Sequence, residues 1–180
     1  MNYLYKKGLL SLLLGCGLAA HGQISNEGTL TVTENTTVVF SEDFTNKTAG
    51  TLSNNGIVHL KQNLINNGGF TFDNLLSIEA ITNFSGNTIQ HISGTALLEI
   101  PHLTLSNAAG FELLSDILVS KHANFANGIL NNRDFGGELT FEPNVSLSNV
   151  GDQSHVNGSI LKTGNDNFIF PIGGNGQYHS

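Results

Sequence analysis

Apolar residues alternate with polar ones in short bursts along most of this chain. Each burst follows a small polar turn built on Asn and Gly. The unit reads SNEGTLTV at Ser25–Val32, SNNGIVHL at Ser53–Leu60, INNGGFTF at Ile65–Phe72, SNAAGFELL at Ser106–Leu114 and FANGILNN at Phe125–Asn132. Leu30 and Val32, Ile57 and the Val58–Leu60 pair, Phe70 and Phe72, Leu76 and Ile78, and Leu139 and Phe141 carry the apolar side. A period of two is the signature of a half-buried strand, and Thr and Ser at the intervening positions suit a solvated strand face. Pro101, Pro143 and Pro171 each border an apolar run, where proline need not break a ladder.

One such strand cannot bury its apolar side alone, whereas stacked copies can. The fold class expected is therefore all-β, a right-handed parallel β-helix (β-solenoid). From Asn107 to Asn127 is 20 positions and from Asn127 to Asn149 is 22, which suits one coil; Gly56 to Gly68 is 12, which suits a corner within a coil. About seven coils of that size fit the length that remains after an N-terminal signal. The alternative is an antiparallel β-sandwich, which also has short strands and frequent turns.

Asparagine favours the solenoid. It tolerates left-handed backbone, and its amide can bond to an equivalent amide one coil away. Asn54, Asn55, Asn66, Asn67, Asn131 and Asn132 are the candidates for such ladders. The expected core is Phe40, Leu60, Phe72, Ile78, Ile92, Ile100, Leu105, Leu113, Val119, Leu130 and Phe141.

The N-terminus reads as a secretory signal over residues 1–22. Lys6 and Lys7 precede the apolar run GLLSLLLGCGLAA at Gly8–Ala20, and the small residues Ala20 and Gly22 suit cleavage before Gln23. The run is shorter than the roughly 20 residues of a membrane span, so no transmembrane span is expected in the mature chain. LLGC at Leu13–Cys16 loosely resembles a bacterial lipobox, which makes a lipid anchor at Cys16 the alternative outcome. Bulky Leu14 and the apolar residues after Cys16 oppose it. The expected location is secreted or on the outer cell surface.

Removing residues 1–22 takes two of the seven basic residues and none of the fourteen acidic ones, so the net charge moves from −7 to −9. Such a surface disfavours nucleic acid as a partner. Arg133 is the sole arginine, which argues against guanidinium recognition of phosphate or acidic sugars. At 39% hydrophobic and 12% charged, the composition is not that of a disordered chain.

Candidate chemistry is thin. His91 and His102, and His102 and His122, match no short metal-ligand spacing, and His59, His91 and His122 on alternating strands read as half-exposed positions. GNDN at Gly164–Asn167, with Asp152, offers fewer oxygens than Ca²⁺ needs and reads as a turn between strands. Glu42 and Asp43 read as a solvated corner. GGNG at Gly173–Gly176 lacks the lysine of a phosphate loop, and HVNGS at His155–Ser159 lacks a nucleophile elbow. Asp73, Asp116, Asp134 and Asp152 are isolated, so no carboxylate pair for acid–base work is apparent. The site expectation is accordingly none for catalytic, cofactor-binding and metal residues.

From Phe84 onward three segments follow in order: FSGNTIQHISG, LLEIPHLTLSNAAGFELLSDILVSKHANFANGILNN and SHVNGSILKTGNDNFIFPIGGNGQY. This order resembles large surface proteins of Bacteroidetes exported with a type IX secretion sorting domain. The last segment is the most specific, carried by His155, Val156, Gly158, Lys162, Thr163, Gly164, Phe168, Phe170, Pro171, Ile172, Gly173, Gly176 and Tyr178. The resemblance implies a β-solenoid over residues 23–158, with residues 159–180 starting a further β-domain that is cut short. It also implies a non-catalytic structural or adhesive module, not an enzyme, acting as a rod or a binding face, with surface glycans or other cell-surface proteins as partners. No polar cap follows Phe170, so the end coil is expected to need missing chain or a partner as its cover. The alternative function is a carbohydrate-binding or carbohydrate-cleaving parallel β-helix. With no Trp, and with Tyr3 and Tyr5 in the signal, the aromatic platform for sugars is reduced to Tyr178 and the Phe residues.

Overall fold

A computed structural model describes residues 22–73 and 80–179. All of the regular structure there is β, and the chain climbs by parallel pairing. The first coil runs through β1 (Gln23–Asn26), β2 (Thr29–Val32) and β3 (Thr37–Phe40). The second follows with β4 (Asp43–Asn46), β5 (Thr51–Asn54) and β6 (Ile57–Leu60), and the third with β7 (Leu64–Asn66), β8 (Gly69–Thr71) and β9 (Ile81–Phe84). In the next two coils the second and third edges fuse into one bent strand. These are β10 (Gln90–Gly94) with β11 (Leu98–Ser106), and β12 (Phe111–Leu113) with β13 (Ile117–Asn127). The sixth coil separates them again as β14 (Leu130–Asn131), β15 (Leu139–Phe141) and β16 (Ser146–Ser148). Then come β17 (Val156–Asn157), β18 (Ile160–Lys162) and the antiparallel pair β19 (Gly173–Gly174) and β20 (Gln177–Tyr178).

The result is a β-solenoid of about six turns with three faces. The first face is one sheet in the order β1-β4-β7-β10-β12-β14-β17. The second starts as β2-β5-β8, and its later coils are the first halves of β11 and β13, then β15 and β18. The third stacks β3, β6, β9, the second halves of β11 and β13, and β16. The bend in β11 falls at Pro101, where the register shifts between Ile100 and His102. Proline has no N–H to lose there.

Register turns sequence periodicity into vertical columns. Leu30, Leu52 and Phe70 stack inside the second face; Phe40, Leu60, Phe84, Leu105 and Phe125 stack inside the third. All but half-buried Leu30 are buried, and Phe40 lies on Phe44 with ring centroids 4.1 Å apart. Nine of the expected core residues are buried: Phe40, Leu60, Ile92, Ile100, Leu105, Leu113, Val119, Leu130 and Phe141. Ile78 lies outside the described residues, as do Leu76, Cys16 and the signal up to residue 21. Phe72 is only half-buried, a departure from expectation. Its neighbour Phe70 takes the core position, and β8 ends at Thr71 before the alternation reaches Phe72.

The coil is 20 residues where Phe44 pairs with Leu64, 28 where Leu64 pairs with Ile92, and 21 where Ile92 pairs with Leu113. The added length falls between strands, most of it between β8 and β9, which is why a single sequence period is blurred. Ladder amides lie inside one of these corners. Asn26 donates to Asn46 at 2.9 Å, and Asn46 donates to Asn66 at 3.0 Å, with Asn46 and Asn66 buried. Of the expected ladder residues only Asn66 belongs to it. Asn54 instead donates to the Ile81 carbonyl and Asn132 to those of Gly137 and Ser159, whereas Asn55, Asn67 and Asn131 accept from backbone amides. The ladder stops at Gly94, whose φ is +132° and where any Cβ would overlap the Asn66 backbone. Left-handed corners use a different set, Asn35, Asn144, Asn149 and Asn175.

The last coil is covered from within. The inward column Ile100, Val119, Phe141 continues to Lys162, a charged group at a core position. Its ammonium meets Asp166 at 2.6 Å and lies 5.3 Å from the Phe168 ring centre, and Phe168 packs on Phe141 at 5.3 Å. Chain before Phe170 therefore packs over this end of the stack through Asp166 and Phe168.

Candidate functional site

Two exterior regions concentrate polar groups. The first is the outer side of the third face. There one column runs Ile57, Ile81, His102, His122, Ser146 and the next runs His59, Asn83, Thr104, Asn124, Ser148. Period-two alternation forces these residues outward because Val58, Thr82, Leu103 and Ala123 point in. Asn83 donates to His59 Nδ1 at 3.1 Å, which places the proton of the neutral ring on Nε2. Burial, and then the charge of Lys61, holds the His59 pKa below the usual histidine value.

His122 is bound on both sides. Its Nδ1 is 2.7 Å from Ser146 Oγ and its Nε2 is 3.0 Å from Ser148 Oγ. Ser148 donates to Asn124 Oδ1 at 3.2 Å, so it accepts from Nε2–H and leaves Nδ1 to accept from Ser146. A serine on a histidine is the start of a nucleophile pair, but a carboxylate normally orients the base. Here that position belongs to the Ser148 hydroxyl. The arrangement is a hydrogen-bonded strip spanning two coils.

The second region is a cleft of about 260 Å³ on the outer side of the first face, at its junction with the third. Glu112, Asn131 and Asn157 line it as one column in register, and Ile89, Ala109 and Ile129 line it as well. His91 Nε2 pairs with Glu112 at 2.9 Å.

The remaining sequence candidates are dispersed. His59 and His122 are half-buried on the third face, whereas His91 is exposed on the first. Among the described residues no group of three His, Cys, Asp or Glu side chains is placed to hold a metal ion. In GNDN, Asp166 is bound to Lys162, whose hydrogen bond holds the Asp166 carboxyl below its ordinary pKa. Asp152 accepts the Tyr178 N–H at 2.9 Å, Asp43 that of Asn63 at 3.0 Å and Asp116 that of Glu138 at 2.9 Å. Glu42 and Asp134 are exposed. His155 is fully buried, with Nδ1–H on the Gly151 carbonyl at 3.1 Å, and Ser159 is exposed away from it. GGNG forms the β19–β20 turn. Sequence reasoning expected an amide ladder and named Asn66, but missed Asn26 and Asn46 in it and missed the cleft. The ladder had a signal, since Asn26, Asn46 and Asn66 recur every 20 residues. The cleft had none, because coil lengths decide which outward residues meet.

No family model, curated protein or solved structure matches this chain. No helix among the described residues is long and apolar enough to cross a membrane.

Proposed function

We propose that this chain is a non-catalytic structural and adhesive module of an exported cell-surface protein, of the kind its resemblance to Bacteroidetes surface proteins implies. The supporting observation is the stack itself. Parallel strands continue in register along the first face from β1 to β17, tied inside by buried amides. At about 4.8 Å per coil, six coils raise the chain by about 29 Å, which makes it a stiff spacer segment. On the third face the outward positions carry hydroxyls, amides and imidazoles, which suits contact with a partner. The signal at residues 1–22 supplies the route out of the cell.

An antibody to residues 23–180 tests this by fractionation and by protease treatment of intact cells. Surface-exposed or released antigen is expected, and antigen confined to the cytoplasm overturns the proposal. A carbohydrate-directed role is the second reading, favoured by the cleft on the first face.

A further inference from the structure

We infer that the cleft lined by the polar column Glu112, Asn131 and Asn157 together with Ile89, Ala109 and Ile129 binds a neutral sugar unit of a polysaccharide. This deepens the adhesive reading and rests on it.

The row is set by register: Glu112 pairs with Asn131 and Asn131 with Asn157. Stacked strands lie about 4.8 Å apart, so three polar heads line up over roughly 10 Å along the axis. Amides offer a donor and an acceptor side by side, and a carboxylate accepts two donors. Neighbouring hydroxyls on one ring present that same mixture. Asn131 Oδ1 already accepts the Arg133 N–H at 3.1 Å, which leaves its NH₂ as the group to donate to a ligand oxygen. Asn157 Oδ1 is buried and meets no donor in the protein. The terminal torsion of an asparagine is soft and two-fold, so a turn of the amide presents that oxygen to an entering hydroxyl.

Charge selects the ligand class. The cleft is lined by no Lys or Arg, and Glu112 is its one carboxylate, already paired with His91. With net charge −7 around it, phosphate, sulfate and uronate groups are disfavoured. Other lining residues supply apolar contact: Ile89 is 50% exposed, and Ala109 is exposed as well. Those carbons suit the C–H face of a pyranose. The cleft is smaller than drug-sized pockets of about 300–1,000 Å³, which points to one ring with its neighbours extending along the stack.

The test uses the whole exported protein with isotopically labelled side-chain amides. Neutral oligosaccharides (gluco-, manno- and galacto-) and a uronic-acid oligosaccharide are titrated and followed by NMR. Saturable shifts of Asn131 and Asn157 with at least one neutral series, absent with the uronate, are expected. Ala109→Trp fills the cleft from an exposed position and should weaken binding at least tenfold while the amide signals of Asn46 and Asn66 stay in place. Asn157→Ala should weaken binding without moving those signals. No shift with any neutral series, equal binding of the uronate, or undiminished binding by Ala109→Trp would overturn the inference. So would displacement of the bound sugar's signals by nothing but a lysine-rich peptide that itself saturates the cleft. Surface localisation of the same protein reads the wider proposal separately: surface antigen without sugar binding removes the cleft alone.

Discussion

The side-chain amide of Asn46 donates to Asn66 Oδ1 at 3.0 Å while its own oxygen accepts from Asn26, so one residue joins three coils. It donates also to the Gly69 carbonyl at 2.8 Å. A core column of this type is held by direction as well as by area, because each buried group is matched only in this register.

Asn46→Ala should destabilise the protein by about 1–3 kcal/mol, the cost of leaving buried partners unmatched. Asn46→Asp should cost more at neutral pH, since a carboxylate then faces the Asn66 oxygen and the Gly69 carbonyl. Urea unfolding of the two variants measures both, and equal midpoints with the parent would remove the ladder's energetic role.

Phe70 and Phe72 are two residues apart and differ in burial. Phe70→Ala should cost about 3–5 kcal/mol, as for other buried aromatic truncations. Phe72→Ala should cost clearly less. Thermal unfolding of the pair would refute the inward placement of Phe70 if the order reversed.

Asp166 has a folded pKa held below its ordinary 3.8 by the hydrogen bond from Lys162. A depressed carboxylate contributes stability that is present above the unfolded pKa and lost as pH falls through the folded one. Hydrogen exchange over residues 159–179 should therefore speed up below about pH 4 relative to the first three coils. Asp166→Asn should show that faster exchange at neutral pH and no further change on acidification.

His59 has the same pH sense from a different cause, since burial disfavours its charged form. Its pKa is lowered by burial first and by Lys61 second. The unfolded chain binds the proton more readily, so stability contributed by neutral His59 is present above the unfolded pKa, near 6.5, and falls as pH drops through it. Lys61→Met should raise the His59 pKa in an NMR titration while leaving it below the usual value, because burial remains. An unchanged titration would show that Lys61 exerts no field there.

How much of this was legible beforehand depended on the kind of signal. Alternation identified strands and most of the core, because inward and outward positions differ in chemistry on every coil. It failed at Phe72, where strand length and not alternation decides burial. Asparagine reads correctly as the corner and ladder residue, yet Asn131, a ladder candidate, lines the cleft, and Asn46 stands outside the Asn–Asn pairs that mark the candidates. Neighbouring Asn pairs such as Asn66 and Asn67 look alike in sequence, and only the inward one can stack. Lys162 illustrates the same limit: a lysine at a core position is intelligible only once Asp166 and Phe168 fold back over it. The cleft required knowing that Glu112, Asn131 and Asn157 fall in one column despite offsets of 19 and 26 residues.

The corner between the first and second faces holds two residues after β1 and seven after β14, at 132–138, without disturbing the pairing of β13 with β15. That tolerance makes exposed Arg133 and Asp134 a grafting position, with buried Asn132 and Gly137 kept as the ends that tie the corner. A short foreign peptide spliced beside Asp134 would be displayed at the flank of a scaffold whose ladders never register its presence.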